Sequence, residues 1–197
     1  SVYKNTNFSN TLDFSGFTHL YAGDGVDLFN IDGAITDTMW VYGGVGHDTF
    51  AMLDGASFVN GTLDGGGGTN TLDYSDYTTS ITINLAGFAA SYLNIVTGIQ
   101  NIKGGSGDDS LTGDNGNNHI TGNGGDDLLN GGFGDDTYHF AGGAFPGGTG
   151  DTVTDTGVSG SCPENLDSRG APPGPPSDFG TLAVPRARNP LHLACSH

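Results

Sequence analysis

Glutamate is almost absent from this chain of 197 residues: of 22 acids, only Glu164 is not an aspartate. That argues against a solvated acidic helix, where the longer carboxylate is preferred. It points instead to short carboxylates held close to turn backbone. Basic residues are scarce too, 5 against those 22 acids, for a net charge of −17. Nucleic-acid binding needs a basic patch, and adsorption on an anionic membrane needs basic clusters, so this balance argues against both as partners. No apolar run approaches the ~18 residues that a helical membrane span requires, and no N-terminal signal peptide is legible. Residues 1–159 lack cysteine and no Gly-x-Ser-x-Gly elbow occurs, which removes two common nucleophiles. A chain that opens on Ser-Val without Met reads as a fragment or a processed piece.

Glycine is what the chain has in excess, 36 residues against a usual share of about 7%. Glycine at this density weakens helix interiors, and its spacing is too irregular for collagen. Between the glycine clusters, Phe29/Ile31, Met39/Val41, Phe50/Met52, Ile81/Ile83/Leu85 and Ile99 alternate as short strands do. The composition changes near residue 160. All of the net charge sits in residues 1–159, because Glu164, Asp167 and Asp178 are balanced by Arg169, Arg186 and Arg188. The same tail holds Cys162, Cys195 and PPGPP at 172–176, a composition that opposes ladder hydrogen bonding. It reads as an irregular Pro-rich linker or tail, and an abrupt break of this kind is also what a shifted reading frame produces. Spacing alone leaves open whether Cys162 and Cys195 pair.

The most ordered pattern lies at 104–139, which reads GGSGDDSLT, GDNGNNHIT, GNGGDDLLN, GGFGDDTYH without insertion. Each nonamer has glycine at positions one and four, Asp or Asn at six and an apolar residue at eight. Looser copies start at 22, 43 and 65, with Asp27, Asp48 and Asn70 at position six, so each of those units holds one glycine turn and a longer return. Asn10-Thr-Leu-Asp-Phe-Ser15 echoes Asn70-Thr-Leu-Asp-Tyr-Ser75, which puts the chain inside a larger array. Such repetition predicts a solenoid of short strands stacked in parallel, with Leu111, Ile120, Leu129 and Tyr138 pointing inward. Glycines at one and four would allow positive φ and let a turn aim several carbonyls at one place. Calcium takes six to eight oxygens, more than one turn supplies, so two stacked turns would have to share an ion.

The four nonamers resemble the RTX, or haemolysin-type, calcium-binding repeats of secreted bacterial proteins, and looser likeness extends over roughly residues 10–157. The resemblance implies an all-β, right-handed parallel β-roll or β-helix, with two nonamers per coil and several calcium ions between same-side turns. Carried over residue by residue, it pairs Asp109 with Asp127 and Asn118 with Asp136. Carbonyls around Gly105, Gly107, Gly125, Gly132 and Gly134 would complete the ligand sets. Asp27 and Asp48, facing each other across one coil, would form a further site. An amide at Asn118 should make its site the weaker one, and Asn70 puts a metal there in doubt. Asp108, Asp126 and Asp135, at position five, read as solvated turn residues.

The expected division is degenerate solenoid at 1–103, RTX β-roll at 104–157 and tail at 158–197. The resemblance further implies type I secretion, an extracellular location and folding on calcium outside the cell, with any catalysis elsewhere in a larger parent. Two other classes stay open: a structural repeat of an adhesin, matrix or filament protein, and a glycan-binding or glycan-modifying domain. Further copies of the solenoid and an extracellular polysaccharide are therefore candidate partners. Trp40, Tyr42, Tyr74 and Tyr77 are the aromatics available to stack on sugars, and packing of aromatics within a thin β core accounts for them as well. His19, His47, His119 and His139 show no zinc-type spacing.

Overall fold

The computed structural model describes residues 2–4, 18–140, 151–154, 182–183 and 191–194. No helix occurs among them; short strands wind into two sheets, one of twelve strands and one of seven. The architecture is the all-β solenoid of parallel stacked coils expected from the repeats, with about 6 turns. The glycine-rich segments supply the bends, and the alternating segments between them are too short for anything but strands.

In the seven-stranded sheet, Leu28–Ile31, Thr49–Met52, Thr71–Asp73, Asn101–Lys103, His119–Thr121 and Thr137–Phe140 follow one another in parallel. Their register places Phe29, Phe50, Leu72, Ile102, Ile120 and Tyr138 in one file. The last five of these are fully buried. The facing sheet sends in Leu20, Val41, Leu63 and Val96, then Ile83, Leu111, Leu129 and Val153. Position eight of every nonamer thus faces the core, as its apolar character requires. The core is one side chain thick from each sheet, so a solenoid of this width has no second layer to compensate a lost contact.

Coil length is not constant. Position-six residues are separated by 21 and 22 residues at the first steps and by 18 in the nonamers. Between the two regimes lies one long coil, in which Asn70 reaches a residue 30 positions away. The extra length folds as an antiparallel meander of Thr82–Asn84, Ala89–Ala90 and Leu93–Thr97. Its last strand continues the ladder of Ser57–Asp64, and its first continues into Ser110–Thr112. Tyr74 and Tyr77 pack beneath it: the Tyr74 hydroxyl donates to Ser91 O at 2.5 Å, and the Tyr77 hydroxyl to Ala56 O. Both rings are buried, which removes them as sugar-stacking candidates.

Trp40 and Tyr42 do lie on an outer face. Trp40 stacks on His19 with ring centroids 4.6 Å apart, and Tyr42 on Tyr21 at 4.5 Å, because the parallel register sets His19 beside Trp40 and Tyr21 beside Tyr42. At the other end, two stretches of the tail join the sheets antiparallel: Leu182–Ala183 on Thr152–Val153, and Leu191–Ala194 on Thr137–Phe140. The Pro-rich stretch at 172–176, both cysteines and the Asn10 echo lie outside the described residues.

Candidate metal centre

The residue at position six ends each glycine turn and precedes a strand. Its own N–H points along the stack toward the next coil, and the side chain of the next position six meets it there. Along one side, Asp27 N donates to Asp48 Oδ1 at 2.9 Å, Asp48 N to Asn70 Oδ1 at 2.9 Å and Asn70 N to Gln100 Oε1 at 2.8 Å. Asn118 N donates to Asp136 Oδ1 at 2.8 Å further along the same sheet. On the other side, Ile81 N donates to Asp109 Oδ1 at 2.9 Å, Asp109 N to Asp127 Oδ1 at 2.9 Å and Asp127 N to Asp151 Oδ1 at 3.0 Å. Each acceptor side chain therefore ties two coils together, and only one oxygen per carboxylate is used in doing so.

The glycines have two separate jobs. At position one the α-carbon lies under the position-six side chain: a Cβ on Gly104 would meet Asp109 Oδ2, one on Gly122 would meet Asp127 Oδ2, and one on Gly131 would meet Asp136 Oδ2. None of these three has positive φ, so position one is glycine for room, not for the conformational freedom expected of it. Positive φ falls at positions two and four, as at Gly132, Gly125 and Gly134, with Asn123 adopting it at position two. Those turns sit on their neighbours' carbonyls: a Cβ on Gly125 would strike Gly107 O, and Gly124 N donates to Gly105 O at 3.0 Å.

The second carboxylate oxygens carry the chemistry. Asp27 Oδ2, Asp48 Oδ2 and Asp127 Oδ2 are buried without a hydrogen-bond partner. Burial alone is the main reason that all three carboxyls are pushed up, with Asp48 adding to the effect on Asp27. For Asp127 burial, together with Asp151, Asp109 and Asp108 nearby, brings it up to about 8. Asp109 is also raised by burial, although its oxygens accept from Ile81 N and from Gly105 N at 2.7 Å. A buried carboxylate with one idle oxygen calls for a proton or a cation. Among the described residues no three His, Cys, Asp or Glu side chains converge. A cation here would rest on one or two carboxylates and on turn carbonyls, an all-oxygen set that suits calcium and not zinc.

The stack brings together Asp109 with Asp127 and Asn118 with Asp136, one coil apart on the same side. It corrects the placement of Asp27 and Asp48. They do not face each other across a coil; they are neighbours on successive coils, since their strands pair in register. The sequence lengths misled because a single glycine turn per 21-residue unit puts all such turns on one side. At position five, Asp108 is exposed but accepts from Asp126 N at 2.8 Å, and Asn117 accepts from Asp135 N at 2.8 Å. Two members of the position-six files escape the template. Asp151 follows Gly150 and precedes Thr152-Val153, a repeat one residue short, which is a readable signal. Gln100 follows Gly98-Ile99 with no glycine cluster, and nothing in the sequence flags it.

The amides behave unlike the acids. Asn70 Nδ2 donates to Gly98 O at 2.9 Å, and Asn118 Nδ2 to Gln100 O at 3.1 Å. Asn118 Oδ1 accepts from Asp114 N at 2.9 Å, so both ends of that side chain are engaged.

The family model of the RTX calcium-binding nonapeptide repeat matches residues 103–138, in four copies. No curated protein matches the chain. The matched stretch thus carries calcium-binding repeats of a structural, non-catalytic kind, set in a β-solenoid.

Proposed function

We propose that this chain is a calcium-binding β-roll module of a secreted bacterial protein, ordered by calcium outside the cell. The observation that carries the reading is the set of buried, unpartnered carboxylate oxygens on Asp27, Asp48 and Asp127, each at position six of a stacked glycine turn. In this reading Asp109 and Asp127 serve one ion, Asp136 a weaker one beside Asn118, whose side-chain amide is already engaged by Gln100 O and Asp114 N, and Asp27 with Asp48 a third. Carbonyls around Gly105, Gly107, Gly125, Gly132 and Gly134 complete the shells. Bound calcium supplies positive charge to oxygens that have otherwise lost their water. The chain's own residues do the rest: Oδ1 holds the neighbouring coil, Oδ2 turns inward, and glycine at position one leaves space for it. Since ligands from two coils meet only once the coils have stacked, binding energy is folding energy. Residues 1–103 would then be a degenerate solenoid, 104–157 the β-roll and 158–197 a tail, with catalysis left to other parts of a parent protein.

Circular dichroism of the full chain during calcium titration tests this. A β spectrum should grow with calcium and weaken when chelator is added. The same β spectrum in chelator and in millimolar calcium would falsify it.

A second reading is favoured by the aromatic block of His19, Tyr21, Trp40 and Tyr42. One face of Trp40 lies on His19, and its other face adjoins the smaller Thr62, leaving a ledge flanked by Asp64. A hydroxyl-rich, uncharged polysaccharide suits such a ledge, whereas the acidic surface repels anionic glycans. Co-sedimentation with insoluble neutral polysaccharide, lost in Trp40→Ala, is the expected outcome; no retention of either form removes this reading.

A further inference from the structure

The files of position-six side chains are not chemically uniform. The acids with idle oxygens stand at Asp27 and Asp48 toward one end and at Asp127 toward the other. Along the file of the seven-stranded sheet, Asn70, Gln100 and Asn118 stand between Asp48 and Asp136, whereas Asp127 belongs to the file on the other side. At these steps the gap between coils is closed by donors the chain itself carries. Asn70 Nδ2 reaches Gly98 O and Asn118 Nδ2 reaches Gln100 O, while Gln100 Oε1 receives Asn70 N. An amide NH2 presents partial positive charge to a carbonyl of the neighbouring coil, which is the electrostatic task a cation performs between carbonyls and carboxylates elsewhere. The same coil concentrates other metal-free ties: Tyr74 to Ser91, Tyr77 to Ala56, and the Lys103–Asp73 ion pair at 2.7 Å.

We infer that the side-chain amides of Asn70 and Asn118 replace calcium in the central coils, with Gln100 supplying the neutral acceptor between them, so that the middle of the solenoid holds together without metal and only its flanks require it. For the flanks the inference rests on the calcium reading above; for the centre it does not. Calcium would act by extending an existing ladder in both directions. A pre-formed centre removes the costly first step of pairing strands distant in sequence, so the flanking coils need only add to an edge.

Hydrogen exchange followed by mass spectrometry on the full chain, in chelator and in millimolar calcium, tests this. Backbone amides of Thr71–Asp73 and Asn101–Lys103 should exchange slowly in both buffers. Those of Leu28–Ile31, Thr49–Met52 and Leu128–Asn130 should be slow only with calcium. Fast exchange of the two central strands in chelator overturns the inference, as does equal slow exchange of all five strands in chelator. Absence of calcium uptake in a parallel calorimetric titration overturns the calcium reading and leaves the central strands to be judged on their chelator data. Asn118→Asp supplies the second arm. It sets a carboxylate oxygen against Gln100 O, so exchange of Asn101–Lys103 in chelator should quicken roughly tenfold or more, the loss expected when a buried bond is broken and its partner stranded. Calcium should restore protection. Unchanged exchange in this variant, and in Asn70→Asp, also overturns it.

Discussion

A single oxygen atom separates the two roles of each position-six aspartate. Oδ1 ties a coil to its neighbour, whereas Oδ2 of Asp127 has no partner and its carboxyl sits at about 8 instead of the ordinary 3.8. Without calcium, the folded chain holds a proton there that the unfolded chain releases. That contribution to stability is fully present below pH about 3.8 and is lost as pH rises toward about 8. Urea denaturation in chelator should therefore show stability falling across this window, and calcium, which replaces the proton, should bind more tightly as pH rises through it. Room at position one is equally specific. Gly122→Ala places a methyl against Asp127 Oδ2, and destabilisation of about 1–3 kcal/mol is expected by denaturation in calcium. A substitution at exposed Asn115 should be near neutral.

At the scale of strands, burial follows the period-two pattern closely. Ile120 is fully buried between Ile102 and Tyr138, and in so thin a core nothing can move in to fill a void. Ile120→Ala should cost about 2–5 kcal/mol by chemical denaturation in calcium; a loss below 1 kcal/mol would mean that the coils collapse around the gap. Here the sequence was legible. The nonamers reveal turn, ligand-type residue and inward apolar residue because every unit repeats the same local physics. Legibility fails where contacts are set by the stack and not by the unit. Asp27 and Asp48 were placed across a coil because spacing tells how long a coil is, not which side its turn occupies. Gln100 was invisible because its amide is defined by Asn70, 30 residues away. For Tyr74 and Tyr77 the sequence leaves surface and core equally open, because the meander that covers them has no repeat signature.

Over the whole molecule the dominant number is the net charge of −17. Each added coil brings more carboxylate into a narrow cylinder, so the chelated state repels itself. Raising sodium chloride should stabilise that state by screening, while the calcium-loaded state should respond much less. Thermal melts at low and high salt, with and without calcium, measure the difference; equal salt responses would sink the idea. Calcium removal should then melt the flanks before the centre, giving two transitions where calcium gives one.

The two sheets receive nonamers alternately: Leu111 and Leu129 belong to one, Ile120 and Tyr138 to the other. The array therefore has a parity. Removing one nonamer, for instance 113–121, would send every later strand to the opposite wall and present each later turn to the wrong file of side chains. Removing two, 104–121, would shorten the cylinder by a coil and leave the remaining nonamer turns on their original sides. Growth or loss of such an array by duplication is therefore expected in even steps, which makes the pair of nonamers, and not the single one, the unit that can be copied or lost intact.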